Sequence, residues 1–543
     1  MATTTGDQPR GGGERVDVEK ELIGGSTYRG IAEQKLSPAE ERFEKGRRTA
    51  GFVLAPLTAL IVYLLPLGIP ETQHEVAAVL AGVIVAWVTE PIPIPMSGLI
   101  GCSVLVLLGV GGDDGAEGVL APFGSGTVFT FIGAFILAQA MLRHGLARRF
   151  AFRVLSIPGV AKSSYRVVIA FGLITCLVSA WISNTATVAM LMPTAMGILG
   201  VIGHAVQDKH EADGTMDRFD ATRMRVGFAM MLMLAYGASV GGLLTPVGSP
   251  PNLIGRELIE NATGQPIPFG TWMAMAFPIC ALMFVGLVLV LLLINRPEVR
   301  QLKGVEEYVH EERARLGAMS RAEKNTLFAF VFTVVLWVFP AVVALVAGDS
   351  STAYETASNN VDEGIAAILG ASLLFILPTD WKAREFTLRW DDAARIDWGT
   401  IILFGCGIVF GSLLEDTGLA KTIGEGAFDA LGISSAIAIT VFGVILAITV
   451  SETTSNTASA AVVVPIIIAL AEPAGVDPLT PALAATFAAS FGFMLPVSTP
   501  QNAIVYGSGT VPITRMIKSG FSFDIIGALL IIILLPLLAT ILL

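Results

Sequence analysis

The sequence predicts an all-α polytopic membrane protein, an inverted repeat of about eleven transmembrane helices with broken helices near its centre. Three observations predict it. The chain of 543 residues is 53% hydrophobic and 15% charged, with a mean hydropathy of +0.71, which excludes an ordinary soluble protein. Apolar runs of 16 to 25 residues recur from about Gly51 onward, each long enough to cross a bilayer as a helix. A Ser-Asn-Thr tripeptide also occurs twice in matching surroundings, as SAWISNTATVAMLMP from Ser179 and SETTSNTASAAVVVP from Ser451.

The chain divides into a tail (1–50), a first span plus first repeat (51–295), a charged connection (296–324) and a second repeat (325–543). The tail is polar, Gly-rich at its start and without an apolar h-region, so no cleaved signal peptide is expected and the first 30 residues read as disordered. Ser37-Pro38-Ala39-Glu40 has the form of a helix start and predicts a short surface helix ending at Arg47-Arg48. Spans follow at 51–68, 75–90, 96–111 and 127–145. Two apolar arms, 165–182 and 186–205, flank the first tripeptide. Next come 226–245 and 271–295, then 325–347, 364–379 and 398–415. Arms at 434–450 and 459–472 flank the second tripeptide, before 480–495 and 523–543.

Lys and Arg concentrate in cytoplasmic loops. The tail, the segments on either side of the first arms, the connection, the 380–397 loop (Lys382, Arg384, Arg389, Arg395) and the 507–522 loop (Arg515, Lys518) are basic. Segments 69–74, 112–124, 348–363 and 473–479 contain no Lys or Arg. Alternating these loops gives eleven crossings, with the N-terminus cytoplasmic and the C-terminus outside. The first pair of arms is flanked by basic segments, whereas Lys421 is the only basic residue flanking the second pair. The two hairpins therefore open to opposite faces, the signature of an inverted-topology repeat. Arms of this length can cross fully or turn back within the membrane, and loop charge fits both.

The repeat extends beyond the tripeptides. FIGAFILAQAMLRHGLAR from Phe131 matches FGCGIVFGSLLEDTGLAK from Phe404 at an offset of 273, with Gly-Leu-Ala at Gly145 and Gly418. LLTPVGSPPNLIG from Leu243 matches FMLPVSTPQNAIVYGSG from Phe493 at an offset of 250. Self-similarity of this kind identifies a duplicated unit.

The second paired element carries Pro246, Pro250 and Pro251 in one copy and Pro496 and Pro500 in the other. Such dense prolines break a helix, and at membrane depth the freed backbone must be buried in protein or line a cavity. Either copy alone reads as a packing kink; two copies, each paired with Ser-Asn-Thr, read as a site. Hydroxyl, amide and carbonyl oxygens suit a hard cation such as Na⁺, and half-helix N-termini suit an anionic oxygen. Two symmetry-related cation sites with an anion between the tips are expected. Neither motif contains Lys or Arg, so anion binding should depend on the cations.

At these residues the chain resembles the divalent-anion:sodium symporter family (DASS), the INDY-like dicarboxylate transporters, over almost everything from residue 51 onward. The resemblance implies re-entrant hairpins and an elevator-type homodimer in the plasma (inner) membrane that couples Na⁺ entry to uptake of a C4 dicarboxylate. It implies that Ser183, Asn184, Thr185, Ser455, Asn456 and Thr457 contact substrate carboxylates, with Pro250, Thr499 and Pro500 edging the pocket. One sodium site would use Ser179, Ser183, Asn184 and Gly248. The other would use Ser451, Thr454, Asn456 and Ser498. Ser249 and Ser451 stand where Thr is expected, and Ser498 where a smaller residue is usual; the hydroxyls survive. Exchange without Na⁺, of dicarboxylate or 2-oxoglutarate, and carriage of citrate or sulfate are the alternatives within this fold.

Other classes find no residues. No Ser–Lys or Ser–His pair, membrane Asp pair or HExxH supports an intramembrane enzyme, and no P-loop supports an ATP-driven pump. Cys102, Cys176, Cys280 and Cys406 read as buried apolar residues, the five histidines lack ligand spacing, and no basic patch suggests nucleic acid. Na⁺ is the one cofactor expected, with no organic one. Glu90 reads as interfacial. Glu452, beside the second tip, reads equally as a structural hydrogen-bond partner or a transport residue.

Overall fold

The computed structural model describes residues 16–25, 38–348, 351–433 and 435–543, and most of them are helical. A short helix α1 (Val18–Gly25) precedes α2 (Pro38–Leu64), α3 (Glu71–Thr89) and α4 (Ile94–Leu107). A bent stretch holding α5 (Gly115–Leu120) leads to α6 (Gly126–Arg143) and the amphipathic α7 (Leu146–Leu155). The first hairpin is α8 (Ser164–Ser179) with α9 (Asn184–Ala212). Then come α10 (Arg225–Gly242), α11 (Pro250–Thr263), α12 (Phe269–Ile294) and, in the connection, α13 (Val305–Arg315). Beyond it lie α14 (Arg321–Ala347), α15 (Thr352–Asn360), α16 (Glu363–Ile376), a ribbon of β1 (Pro378–Asp380) and β2 (Glu385–Phe386), and α17 (Trp390–Ala393). They are followed by α18 (Trp398–Asp416), α19 (Leu419–Leu431) and the second hairpin, α20 (Ala436–Thr453) with α21 (Asn456–Ala471). The chain closes with α22 (Leu479–Ala489), α23 (Pro500–Gly507) and α24 (Ile513–Leu542).

Among the described residues, ten helices are long and apolar enough to cross a membrane, or twelve if each of two bent pairs is one span. These numbers bracket the eleven expected. Burial sorts the helices: α10 is buried over 94% of its apolar window, whereas α2, α14 and α24 are buried over 11%, 17% and 22% of theirs. A helix apolar all round sits either in a large core or against lipid, so α10 is the central strut and the other three face the bilayer. Two packing groups result. In one, α3 packs on α2 and α4, α18 on α4, and α16 on α6 and α14. Gly133 lets α6 and α16 touch closely, since a Cβ there would lie 2.5 Å from the Ala367 carbonyl carbon. In the other group, α10 packs on α8 and α9, α22 on α20 and α21, and α12 on α24.

Both repeated Gly-Leu-Ala sequences do the same local work. Gly145 and Gly418 adopt left-handed conformations, with φ of 67° and 74°, and each starts a short helix, α7 or α19. Such φ values favour a residue without a Cβ.

Three expectations change. Residues within the supposedly disordered tail form α1, whose Val18 and Leu22, one turn apart, are buried against α9 and the segment before α10. Gln207 Nε2 donates to the Val16 carbonyl at 3.0 Å and helps to hold it there. The surface helix and first span are one continuous helix, α2, beginning at Pro38; Ser37 lies outside the described residues. Finally, the last helix starts at Ile513, not near 523, so Arg515 and Lys518 are helical.

Candidate functional site

Each tripeptide is the start of a helix, and the two starts are built alike. Ser183 and Ser455 are N-caps, accepting from the Ala186 and Ala458 amides at 3.3 and 3.2 Å. This is the ordinary use of Ser at such a position. The Asn residues turn inward, with Asn184 7% and Asn456 9% exposed, while Thr185 and Thr457 remain half-buried. Five residues before each Asn, a fully buried Ser reaches forward: Ser179 Oγ donates to Asn184 Oδ1 at 2.7 Å and Ser451 Oγ to Asn456 Oδ1 at 2.8 Å. Ser179 and Ser451 thus fix the amide orientation at both tips.

The proline-dense breaks are equally alike. Helix α10 stops at Gly242, a 3₁₀ turn spans Pro246–Gly248, and α11 restarts at Pro250; α22 stops at Ala489 and α23 restarts at Pro500. An Asn two residues into each new helix closes the break. Asn252 Nδ2 donates to the Gly242 and Thr245 carbonyls at 2.7 and 2.8 Å, and Asn502 Nδ2 to the Gly492 and Leu495 carbonyls at 2.7 and 3.1 Å. Carbonyls orphaned by the missing helical turns are thereby satisfied. Both Asn Oδ1 atoms are buried without a hydrogen-bond partner.

Break and tip meet in each half. Thr245 Oγ1 donates to the Ala180 carbonyl, and a Cβ on Gly248 would lie 2.9 Å from that oxygen and 2.6 Å from the Gly242 carbonyl. In the other half, Asn456 Nδ2 donates to the Ser490 carbonyl at 3.1 Å, and a Cβ on Gly492 would lie 3.1 Å from Asn456 Oδ1. Ser498 Oγ is 2.8 Å from the Glu452 carbonyl, the counterpart of Ala180. The halves are also interlaced: α11 packs on α21, α23 packs on α9 and α10, and Gln501 Nε2 donates to Ser239 Oγ at 3.0 Å.

The sequence-derived candidates therefore fall into two clusters tied by these cross-contacts. Ser179, Ser183, Asn184 and Gly248 belong to one, with Thr185 and Pro250 at its edge. Ser451, Thr454, Ser455, Asn456, Ser498 and Thr499 belong to the other, with Thr457 half-buried and Pro500 exposed at its rim. Thr454 is buried, but its hydroxyl donates back to the Val450 carbonyl at 2.7 Å. Thr499 caps α23 by accepting from the Asn502 amide at 3.3 Å. Four helix N-termini, at Asn184, Pro250, Asn456 and Pro500, begin at candidate residues. Each carries about half a positive charge. The donor set, neutral oxygens plus buried unpartnered Asn Oδ1 and Ser490 Oγ atoms, has the chemistry a small hard cation needs.

Two residues gain roles that the sequence left open or missed. Glu452 is 3% exposed and organises the second break: Oε1 accepts from the Phe493 and Met494 amides at 2.6 and 2.9 Å, and Oε2 from Ser498 Oγ at 2.9 Å. Asp524, on α24, is 5% exposed near Glu452. Its place at the expected start of the last span concealed it. Glu90, by contrast, is an interfacial acid, 3.3 Å from Arg47 and 3.8 Å from Arg48.

Comparisons with known proteins agree with this architecture. Residues 47–543 match the family described as "Sodium:sulfate symporter transmembrane region". The sodium-dependent dicarboxylate transporter SdcS of Staphylococcus saprophyticus is 30% identical over 488 residues, covering 89% of each chain. SdcS of Staphylococcus aureus is 30% identical over 486 residues, again 89% of each. Among solved structures, MtrF of Neisseria gonorrhoeae, described as an antimetabolite efflux pump, aligns at a TM-score of 0.51 and 14% identity. That alignment covers 88% of this chain and 97% of MtrF, and it speaks to the fold alone. By the extent of the family match and the length of chain shared with these relatives, this protein is a membrane transporter, not an enzyme, and belongs to the sodium:sulfate symporter family.

Proposed function

We propose that this chain is a secondary active transporter in the plasma (inner) membrane that couples Na⁺ entry to uptake of a divalent anion, a C4 dicarboxylate such as succinate, malate or fumarate. The observation that carries the reading is the matched pair of Ser–Asn contacts, Ser179–Asn184 and Ser451–Asn456, each at a helix start beside a broken helix. In this reading Ser183, Asn184, Thr185, Ser455, Asn456 and Thr457, at the starts of α9 and α21, receive the two carboxylates. Pro250, Thr499 and Pro500 shape the edge. Sodium sits on the inner side of each tip, at Ser179, Ser183, Asn184 and Gly248 and at Ser451, Thr454, Asn456 and Ser498. No Lys or Arg lies in either motif, so the ions supply the charge that makes dianion binding favourable. The names of the two staphylococcal relatives support both the ion and the substrate class.

The inverted repeat, with halves at 51–295 and 325–543, is supported by the paired hydrogen bonds at offsets of 272 and 250. Re-entrant hairpins are supported by α8 and α21. At 16 residues each they run about 24 Å, short of the roughly 30 Å hydrocarbon core. Two packing groups, one holding both tips and both breaks, suit an elevator in a homodimer, with the N-terminus cytoplasmic. Sulfate is the second reading, because the family description names it.

Uptake of labelled succinate into proteoliposomes, with and without an inward Na⁺ gradient, tests the proposal. Uptake driven by the gradient is expected. Indifference to Na⁺ with dependence on an internal counter-anion would make the protein an exchanger. Competition by unlabelled fumarate, malate, 2-oxoglutarate, citrate and sulfate ranks the substrates, and displacement by sulfate alone would overturn the dicarboxylate assignment.

A further inference from the structure

The last helix meets the site at Gly520, where α24 lies directly on the second break: a Cβ there would collide with the Phe493 carbonyl and sit 2.6 Å from the Met494 amide. One turn further, on the same face, is Asp524. Its side chain is 5% exposed, and neither carboxylate oxygen meets an N–H or O–H donor. The charged group it faces, alone among the described residues, is the carboxyl of Glu452. Tyr236 lies near enough to feel the charge of both; its hydroxyl is 2.6 Å from the Phe493 carbonyl and 3.2 Å from that of Met516, and its ring stacks on Phe523. Two acids, deep in the protein and turned toward each other, with no basic side chain between them, need a positive charge.

The donors already present decide what kind of charge fits. Glu452 Oε1 is filled by two amides and Oε2 holds one hydroxyl, which leaves one acceptor position. Asp524 meets no N–H or hydroxyl donor, and the Glu452 carboxyl is its one polar partner among the described residues. A proton shared between the two carboxyls would fill a single position on each and leave the second Asp524 oxygen with nothing. A small hard cation gathers several oxygens at once. We propose that Asp524, Glu452 and the Tyr236 hydroxyl oxygen bind a third sodium ion, behind the second tip and separate from the two tip sites. The site joins α24 to Glu452, which holds the loop of the second break. Filling it therefore tightens the wall on which Ser498 and Asn456 depend, so this ion binds before substrate.

The proposal rests on the sodium-coupled reading above, and one set of measurements separates the two. Sodium bound per chain is counted with ²²Na⁺ on purified protein without substrate, for wild type and Asp524→Asn, alongside Na⁺-driven succinate uptake. The expected result is one sodium fewer in Asp524→Asn, with a shallower Na⁺ dependence of uptake. Asp524→Glu, which keeps the charge, should retain the full count; it also serves if the amide variant fails to elute as folded protein. Equal counts in wild type and Asp524→Asn would overturn the third site while leaving sodium coupling intact. So would equal counts with a pH dependence of uptake lost only in Asp524→Asn, because the pair would then carry a proton. Wild-type uptake indifferent to Na⁺ would instead sink the parent reading.

Discussion

The two tips share a plan and differ in charge. At the first, the residue after Ser179 is Ala180, which contributes only a backbone carbonyl, and the break answers with the Thr245 hydroxyl. At the second, the residue after Ser451 is Glu452, whose side chain takes two backbone amides and the Ser498 hydroxyl. The residue facing that carbonyl differs in step: Gly248 has no room for a side chain, while Ser498 fills the same space with a hydroxyl. Even the equivalent carbonyls, related by the offset of 250, are held differently, Leu243 by the Trp272 indole at 3.1 Å and Phe493 by Tyr236. The Asn and Ser geometry is thus common to both halves, and the supporting wall is free to diverge. The first tip (179–187) and its break (242–252) hold no charged side chain; the second tip and break stand against buried acid.

This comparison can be broken. The largest effect is expected from Asn184→Ala and Asn456→Ala. Each should reduce succinate uptake to background while the protein still elutes as a folded species, because each removes an inward-facing amide and strands its Ser partner. Near-normal uptake in both variants would remove the site assignment; loss in only one would mean that the halves are not equivalent.

Gly248→Ala and Ser498→Ala then test the divergent wall. The added methyl must push apart the Ala180 and Gly242 carbonyls, at a cost of about 2–3 kcal/mol. Ser498→Ala deletes a hydroxyl bound to two Glu452 oxygens and should cost about 1–2 kcal/mol. Unfolding of detergent-solubilised protein should therefore show the larger drop for Gly248→Ala, and the reverse order would contradict the packing described. Asn252→Ala and Asn502→Ala should be matched, at about 1–2 kcal/mol each, since both strip two carbonyls of their donor. The smallest effect is expected at Gly145→Ala and Gly418→Ala. Left-handed alanine costs about 1 kcal/mol, so a slightly lower melting temperature with unchanged uptake is expected from both.

Most of the site is legible in the sequence because its residues break the local rule. Small polar side chains and dense prolines inside apolar runs have few uses, and their repetition narrows the choice further. Gly145 and Gly418 are visible as a matched pair, but nothing local announces a left-handed turn opening a helix. The part that stays hidden depends on contacts between distant segments. Glu452 acquires its role from amides 41 and 42 residues away, which no local pattern reports. The segment 519–522 is not an apolar run: Ser519, Gly520 and Ser522 lower the hydropathy there, so a local reading starts the last span at 523 and leaves Asp524 at the membrane edge. Tertiary packing through Gly520 overrides that signal and carries the helix, with its acid, into the protein. Helix α1 escapes for the opposite reason. Two apolar residues four apart in a polar tail are a weak signal, made meaningful only by the groove on α9 that receives them.

The interlacing of the halves has a consequence for biosynthesis. Ser239 waits for Gln501, 262 residues later, and α9 and α10 wait for α23. At roughly 5–20 residues per second, a ribosome needs about 13–50 s to supply the missing piece. Throughout that interval the first proline break is in the membrane without its packing partner. The nascent protein must therefore keep this packing surface and the Ser239 hydroxyl sheltered until translation is nearly over, which makes the late helices, not the early ones, the step that commits the chain to its native state.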